Sequence, residues 1–116
     1  VSERVAIVGS RKWNRPEEVF AVVRSLPQGT IIISGGASGV DCYAEIEAKL
    51  AGLAVEIIPV EKADWTKFGR AAGPIRNTEI VKRCDRMIAF WDGKSRGTAD
   101  AIRKAQAAGK PVDVRR

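Results

Sequence analysis

Ile31-Ile32-Ile33-Ser34-Gly35-Gly36-Ala37-Ser38-Gly39-Val40-Asp41 is the stretch on which the reading of the whole chain turns. Three β-branched residues held between turn residues predict a buried strand. The glycine cluster that follows carries the chain from this strand into a helix. Backbone without side chains lets N–H groups approach a phosphate closely at a helix N-terminus. Set against a dinucleotide fingerprint, glycine fills the third and sixth positions (Gly36, Gly39) and Ser34 holds the first. A merely tight turn accounts for the same glycines, and Asp41 reads first as a cap of the helix and otherwise as part of a site.

The same alternation extends in both directions. Val5-Ala6-Ile7-Val8 is a short apolar run that stops at Gly9, and Pro16 opens a helix with Val19, Val22, Val23 and Leu26 along one face. After the glycine turn, a second helix carries Tyr43, Ile46, Leu50 and Leu53 along one apolar side. Val55–Ile58 reads as a third strand, and Val60–Gly73 as a looser stretch. Pro74 restarts a helix with Ile80, Val81 and Cys84 on one face. Arg86–Trp91 reads as the fourth strand, Thr98–Ala108 as an alanine-rich helix, and Val112–Val114 as an edge strand. Strands alternating with helices predict a Rossmann-like three-layer α/β/α sandwich around a parallel sheet of about five strands. Residues 1–116 then form a single domain, and a chain of this length buries roughly 65% of its unfolded surface. In such a sheet the strand-to-helix turns gather at the carboxyl edge, where ligands bind.

Composition narrows the chemistry. The chain has no histidine, which removes Ser-His-Asp triads, Cys-His dyads and His-ligated metals together. Cys42 and Cys84 are isolated, so no metal site is expected, and two cysteines fit a reduced cytoplasmic protein. No apolar run is long enough for a membrane helix and no signal peptide opens the chain, so no membrane partner is expected. The net charge of +6 is uneven: residues 1–61 hold 6 basic and 8 acidic side chains, residues 62–116 hold 14 and 6. Such an excess favours anionic partners, although Arg103, Lys104, Lys110, Arg115 and Arg116 read as solvated faces and a tail.

The basic residues that matter lie in turns. Gly9-Ser10-Arg11 ends the first strand. Asp92-Gly93-Lys94-Ser95-Arg96-Gly97-Thr98 follows the fourth. Its Gly-Lys-Ser is not a P-loop, because the required upstream glycine falls on Ile88 inside a strand. Ser95, Arg96 and Thr98 at a helix start remain suited to an oxyanion. Arg76 and Asn77 lie near another helix start. Arg11, Arg76 and Arg96 would thus converge, and each charge-assisted bond to a phosphate contributes on the order of 1.5–3 kcal/mol. Trp13, Trp65 and Trp91 lie in loops or at a strand end; each is either packing or a platform for a base.

Four segments occurring in order carry a resemblance: Ala6–Arg11, Ile33–Asp41, Ala72–Asn77 and Ala89–Thr98. Together they resemble the YpsA-related branch of the SLOG superfamily, Rossmann-like proteins often labelled lysine decarboxylase-like. The resemblance implies a nucleotide or nucleotide-derived ligand at the carboxyl edge, no required cofactor, and a dimer or larger homo-oligomer. Two relatives point to different functions. LOG-type phosphoribohydrolases cleave nucleoside 5′-monophosphates through a Pro-Gly-Gly-x-Gly-Thr-x-x-Glu motif and a helix Arg. Here Gly97-Thr98 and Arg76 match, but Ala101 stands where that Glu would be, leaving Asp100 and Glu79 as substitutes. One residue out of register is about 100° around a helix. The DNA-processing protein A family is similar in the Gly-Ser-Arg and Ser-Gly-x-Ala-x-Gly-x-Asp segments and implies single-stranded DNA binding.

The leading expectation is therefore a nucleotide-binding or nucleotide-sensing domain without strong catalysis. Its ligand site comprises Gly9, Ser10, Arg11, Ser34, Gly35, Gly36, Ala37, Gly39, Asp41, Arg76, Asn77, Ser95, Arg96, Gly97 and Thr98. Phosphoribohydrolase activity is the alternative, and single-stranded nucleic-acid binding the second alternative.

Overall fold

The computed structural model describes residues 2–116. Five parallel strands form one sheet in the order β3-β2-β1-β4-β5. They are β1 (Arg4–Gly9), β2 (Ile31–Ser34), β3 (Ala54–Ile57), β4 (Arg86–Phe90) and β5 (Val112–Arg115). The helices are α1 (Pro16–Ser25), α2 (Val40–Ala51), α3 (Lys62–Phe68), α4 (Ala72–Arg83) and α5 (Arg96–Ala107), with a 3-10 turn at Gly69–Ala71. The expected Rossmann-like sandwich is the observed fold.

Period-two alternation in β1 divides the core. Val5 and Ile7 point to the α1/α2 side, where they meet Val19, Val23, Val40, Ala44 and Phe90. Ala6 and Val8 point to the other side, against Ile80, Val81, Ala101, Ile102 and Met87. Both faces are covered, so the central strands read as unbroken apolar runs.

The structure corrects the sequence reading at three places. Val60–Gly73 is not irregular: it holds α3, none of whose residues is buried, and the 3-10 turn. Helix α4 begins at Ala72, and Pro74 falls within its first turn, where a backbone donor has no partner to lose. On α2 the inner face is Val40, Ala44, Glu47 and Ala48, whereas Ile46 is 48% and Leu50 78% exposed. Small side chains let α2 lie close to α1 and the sheet, and Glu47 is tolerated there because Arg24 pairs with it at 2.8 Å. No described helix is long and apolar enough to cross a membrane.

Strand order reverses between β1 and β4, so the turns after these two strands part at the carboxyl edge. Ser10 pins them. Its N–H donates to the Phe90 carbonyl (3.0 Å), and its hydroxyl accepts from Asp92 N–H (3.2 Å).

Candidate nucleic-acid interface

A cleft of about 1100 Å³ opens at this switch point. Of the residues singled out from sequence, Gly9, Ser10, Arg11, Gly35, Gly36, Ala37, Asp41, Arg76, Asn77, Ser95, Arg96, Gly97 and Thr98 line it, together with Trp65 and Asp100. Ser34 and Gly39 do not. Ser34 is fully buried and bonds Glu45 at 2.7 Å. Gly39 serves the backbone: its φ is +75°, and a Cβ there would lie 2.4 Å from the Arg11 carbonyl oxygen.

The guanidinium of Arg76 is fixed in place. Its Nη1 donates to the Gly35 carbonyl (2.9 Å) and its Nε to Asn77 Oδ1 (3.2 Å). A Cβ on residue 35 would sit 2.4 Å from that Nη1, so glycine makes the approach possible. Buried Asn77 in turn donates through Nδ2 to the Gly97 carbonyl and Asp100 Oδ2, both at 3.1 Å. One continuous set of bonds therefore joins the turn after β2, the start of α4 and the start of α5.

Asp41 does not cap α2; Gly39 holds the cap position and Asp41 lies inside the first turn. Its Oδ2 accepts from Ala37 N–H at 3.1 Å. Only 6% of the residue is exposed, and burial pushes its pKa up to about 6 against the opposing pull of that N–H, Arg76 and Arg11. At the other wall, Ser95 caps α5, accepting from Thr98 N–H. Asp92 Oδ1 accepts the N–H groups of Lys94 and Ser95, both at 2.8 Å, and these hold its carboxyl below the usual range.

Trp13 is corrected from platform to packing. It is 6% exposed, meets Phe90 edge-on at 5.5 Å, and gives its indole N–H to the Arg15 carbonyl. Trp91 lies outside the cleft lining; its indole donates to the Ser95 carbonyl and Arg116 covers its ring. Trp65 is the tryptophan that faces the cleft, 46% exposed. Of the two substitute carboxylates, Asp100 is held by Asn77, Arg103 (2.6 Å) and Lys104 (3.1 Å), and Glu79 lies outside the cleft, paired with Arg83 at 2.9 Å.

Sequence reading passed over four basic residues of the cleft: Lys12, Arg70, Lys94 and Arg103. Lys12 and Lys94 lay beside named residues, and Arg103 resembled an ordinary solvated face. Arg70 belonged to the stretch read as loose. In all, seven Lys/Arg and three Asp side chains line the cleft.

The fold and the basic cleft at its switch point define a Rossmann-like domain of the SLOG superfamily. Residues 1–64 match the family model for DNA recombination-mediator protein A. The chain belongs to that family. It is 38% identical over 116 aligned residues to the Gene 61 protein of Mycobacterium phage D29, covering 94% of this chain and 93% of that protein. Among solved structures, DNA processing protein A of Streptococcus pneumoniae superposes with a TM-score of 0.83 over 97% of this chain, at 23% identity. The Helicobacter pylori protein of the same name, studied for its single-stranded DNA binding mode, gives a TM-score of 0.74 over 97% of this chain at 22% identity. This chain spans 50% of the first of those structures and 64% of the second.

Proposed function

We propose that this chain binds single-stranded DNA in the carboxyl-edge cleft, with backbone phosphates against Arg11, Arg76 and the Ser95–Thr98 turn. The observation that carries the reading is the cleft itself: open, about 1100 Å³, and lined by seven basic against three acidic side chains. Proteins that hold single strands combine a basic groove along the backbone with aromatic faces for bases, here Trp65. The Helicobacter relative's single-stranded DNA binding supports the same reading. It changes the order of the sequence-derived expectations, in which a free nucleotide came first.

The free-nucleotide reading keeps one specific support, the convergence of the turns after β1 and β4 on a space beside the start of α5. For the phosphoribohydrolase reading, Asp100 lines the cleft and accepts from Asn77, Arg103 and Lys104, whereas Glu79 lies outside the cleft lining. Ala101, at the position of that family's Glu, is buried.

Fluorescence anisotropy with oligothymidylates of increasing length, beside titrations with AMP, TMP and ADP-ribose, separates the readings. Affinity that rises with length and exceeds that of any mononucleotide is expected. A mononucleotide that binds as tightly as the longest oligomer would overturn the proposal in favour of a small-ligand site.

A further inference from the structure

A second cavity, about 250 Å³, lies beside the cleft between α3, α4 and the end of β3. Arg76 and Pro59 line both spaces, so a strand lying in the cleft passes its mouth. Ile58, Phe68 and Ile75 give it apolar walls, and Asp64 and Glu79 add two carboxylates. Its volume falls below the roughly 300–1000 Å³ of sites for drug-sized ligands, which fits one ring system rather than a whole nucleotide. Phe68 and Ile75 are themselves substantially exposed, an apolar cost that an inserted ring would relieve.

The carboxylates decide what the ring is. They repel a phosphate and call for N–H donors. Asp64 gives one oxygen to the Glu61 N–H and Glu79 gives one to Arg83, yet a carboxylate offers about four acceptor sites, so both keep capacity. We propose that this cavity takes a single unstacked guanine of the bound strand, a proposal that rests on the single-stranded DNA reading above. Guanine presents two adjacent donors, N1–H and the 2-amino group, on one edge, and the acceptors O6 and N7 beyond it. The carboxylates match the first pair. Thymine offers a single N–H flanked by two carbonyls, which the carboxylates repel. Phe68 supplies a face for stacking.

The test compares oligothymidylate with the same oligomer carrying one central guanine, and with inosine in place of that guanine, by anisotropy on the full chain. The guanine oligomer is expected to bind on the order of tenfold more tightly. Inosine, lacking the 2-amino group, should lose most of that gain. Glu79→Gln and Asp64→Asn should each abolish the guanine preference while leaving the affinity for oligothymidylate within about twofold, the two variants guarding against a folding defect in either. Equal binding of the three oligomers, or a guanine preference that survives both substitutions, overturns the proposal and leaves the DNA-binding reading standing. Failure of every oligomer to bind overturns both.

Discussion

The Nη1 of Arg76 donates a 2.9 Å hydrogen bond to the carbonyl of Gly35, joining the first turn of α4 to the glycine turn after β2. An arginine held this way loses little further freedom when it meets a phosphate, which makes its second edge a better ligand group than a mobile surface side chain. Gly35→Ala tests this. The added methyl would lie 2.4 Å from Nη1, and the side-chain stem can yield where backbone could not. The fold should persist, with a small change in Tm, while affinity for single-stranded DNA falls about tenfold. Anisotropy alongside a thermal melt reads both.

Asn77 is the next element of the same network. Asn77→Ala removes both Nδ2 bonds and leaves the Gly97 carbonyl and Asp100 without that donor. A loss of about 1–3 kcal/mol is expected in chemical denaturation. Asn77→Asp keeps the size but reverses donor to acceptor beside Asp100, so it should be no better than alanine at neutral pH.

Asp41 predicts a pH dependence of stability. Its folded pKa of about 6 lies above the ordinary 3.8, so the folded state holds the proton more tightly than the unfolded state. Stability from this group is therefore greatest below pH 4, falls as the pH rises through 6, and is level above that. The full difference is about 3 kcal/mol. Denaturation of the protein and of Asp41→Asn across pH 4–7 should show the variant gaining relative stability over this window; a constant difference contradicts the assignment.

Two tryptophans should behave oppositely. Trp13→Ala opens a cavity beside Phe90 and should cost about 3–5 kcal/mol of stability. Trp65→Ala touches no core and should leave the melt unchanged, while weakening DNA binding by about 1–3 kcal/mol.

These contrasts show what sequence could and could not carry. Strands β1, β2 and β4 were legible because each is an apolar run cut short by a turn, and their order placed the turns of Arg11, Gly35 and Ser95 on one edge. Helix α3 was not, because it buries no residue and so leaves no apolar period; a capping box between Glu61 and Asp64 accompanies it instead. The inner face of α2 was misread because its burial depends on close approach by Ala44 and Ala48, which a count of large side chains assigns to Ile46 and Leu50. The same limit hid Arg70. Its place in the cleft follows from the fold of α3 and the turn after it, not from any local pattern.

The central claim, that the cleft grips the phosphates of a single strand, is tested most directly by the salt dependence of affinity for a long oligothymidylate. Three or four phosphate contacts predict a slope of log K against log salt of about −2 to −3 between 50 and 200 mM. The double substitution Arg11→Ala, Arg96→Ala should flatten that slope by about 1.4. A slope near zero in the native protein, or one that the double substitution leaves unchanged, would contradict the account.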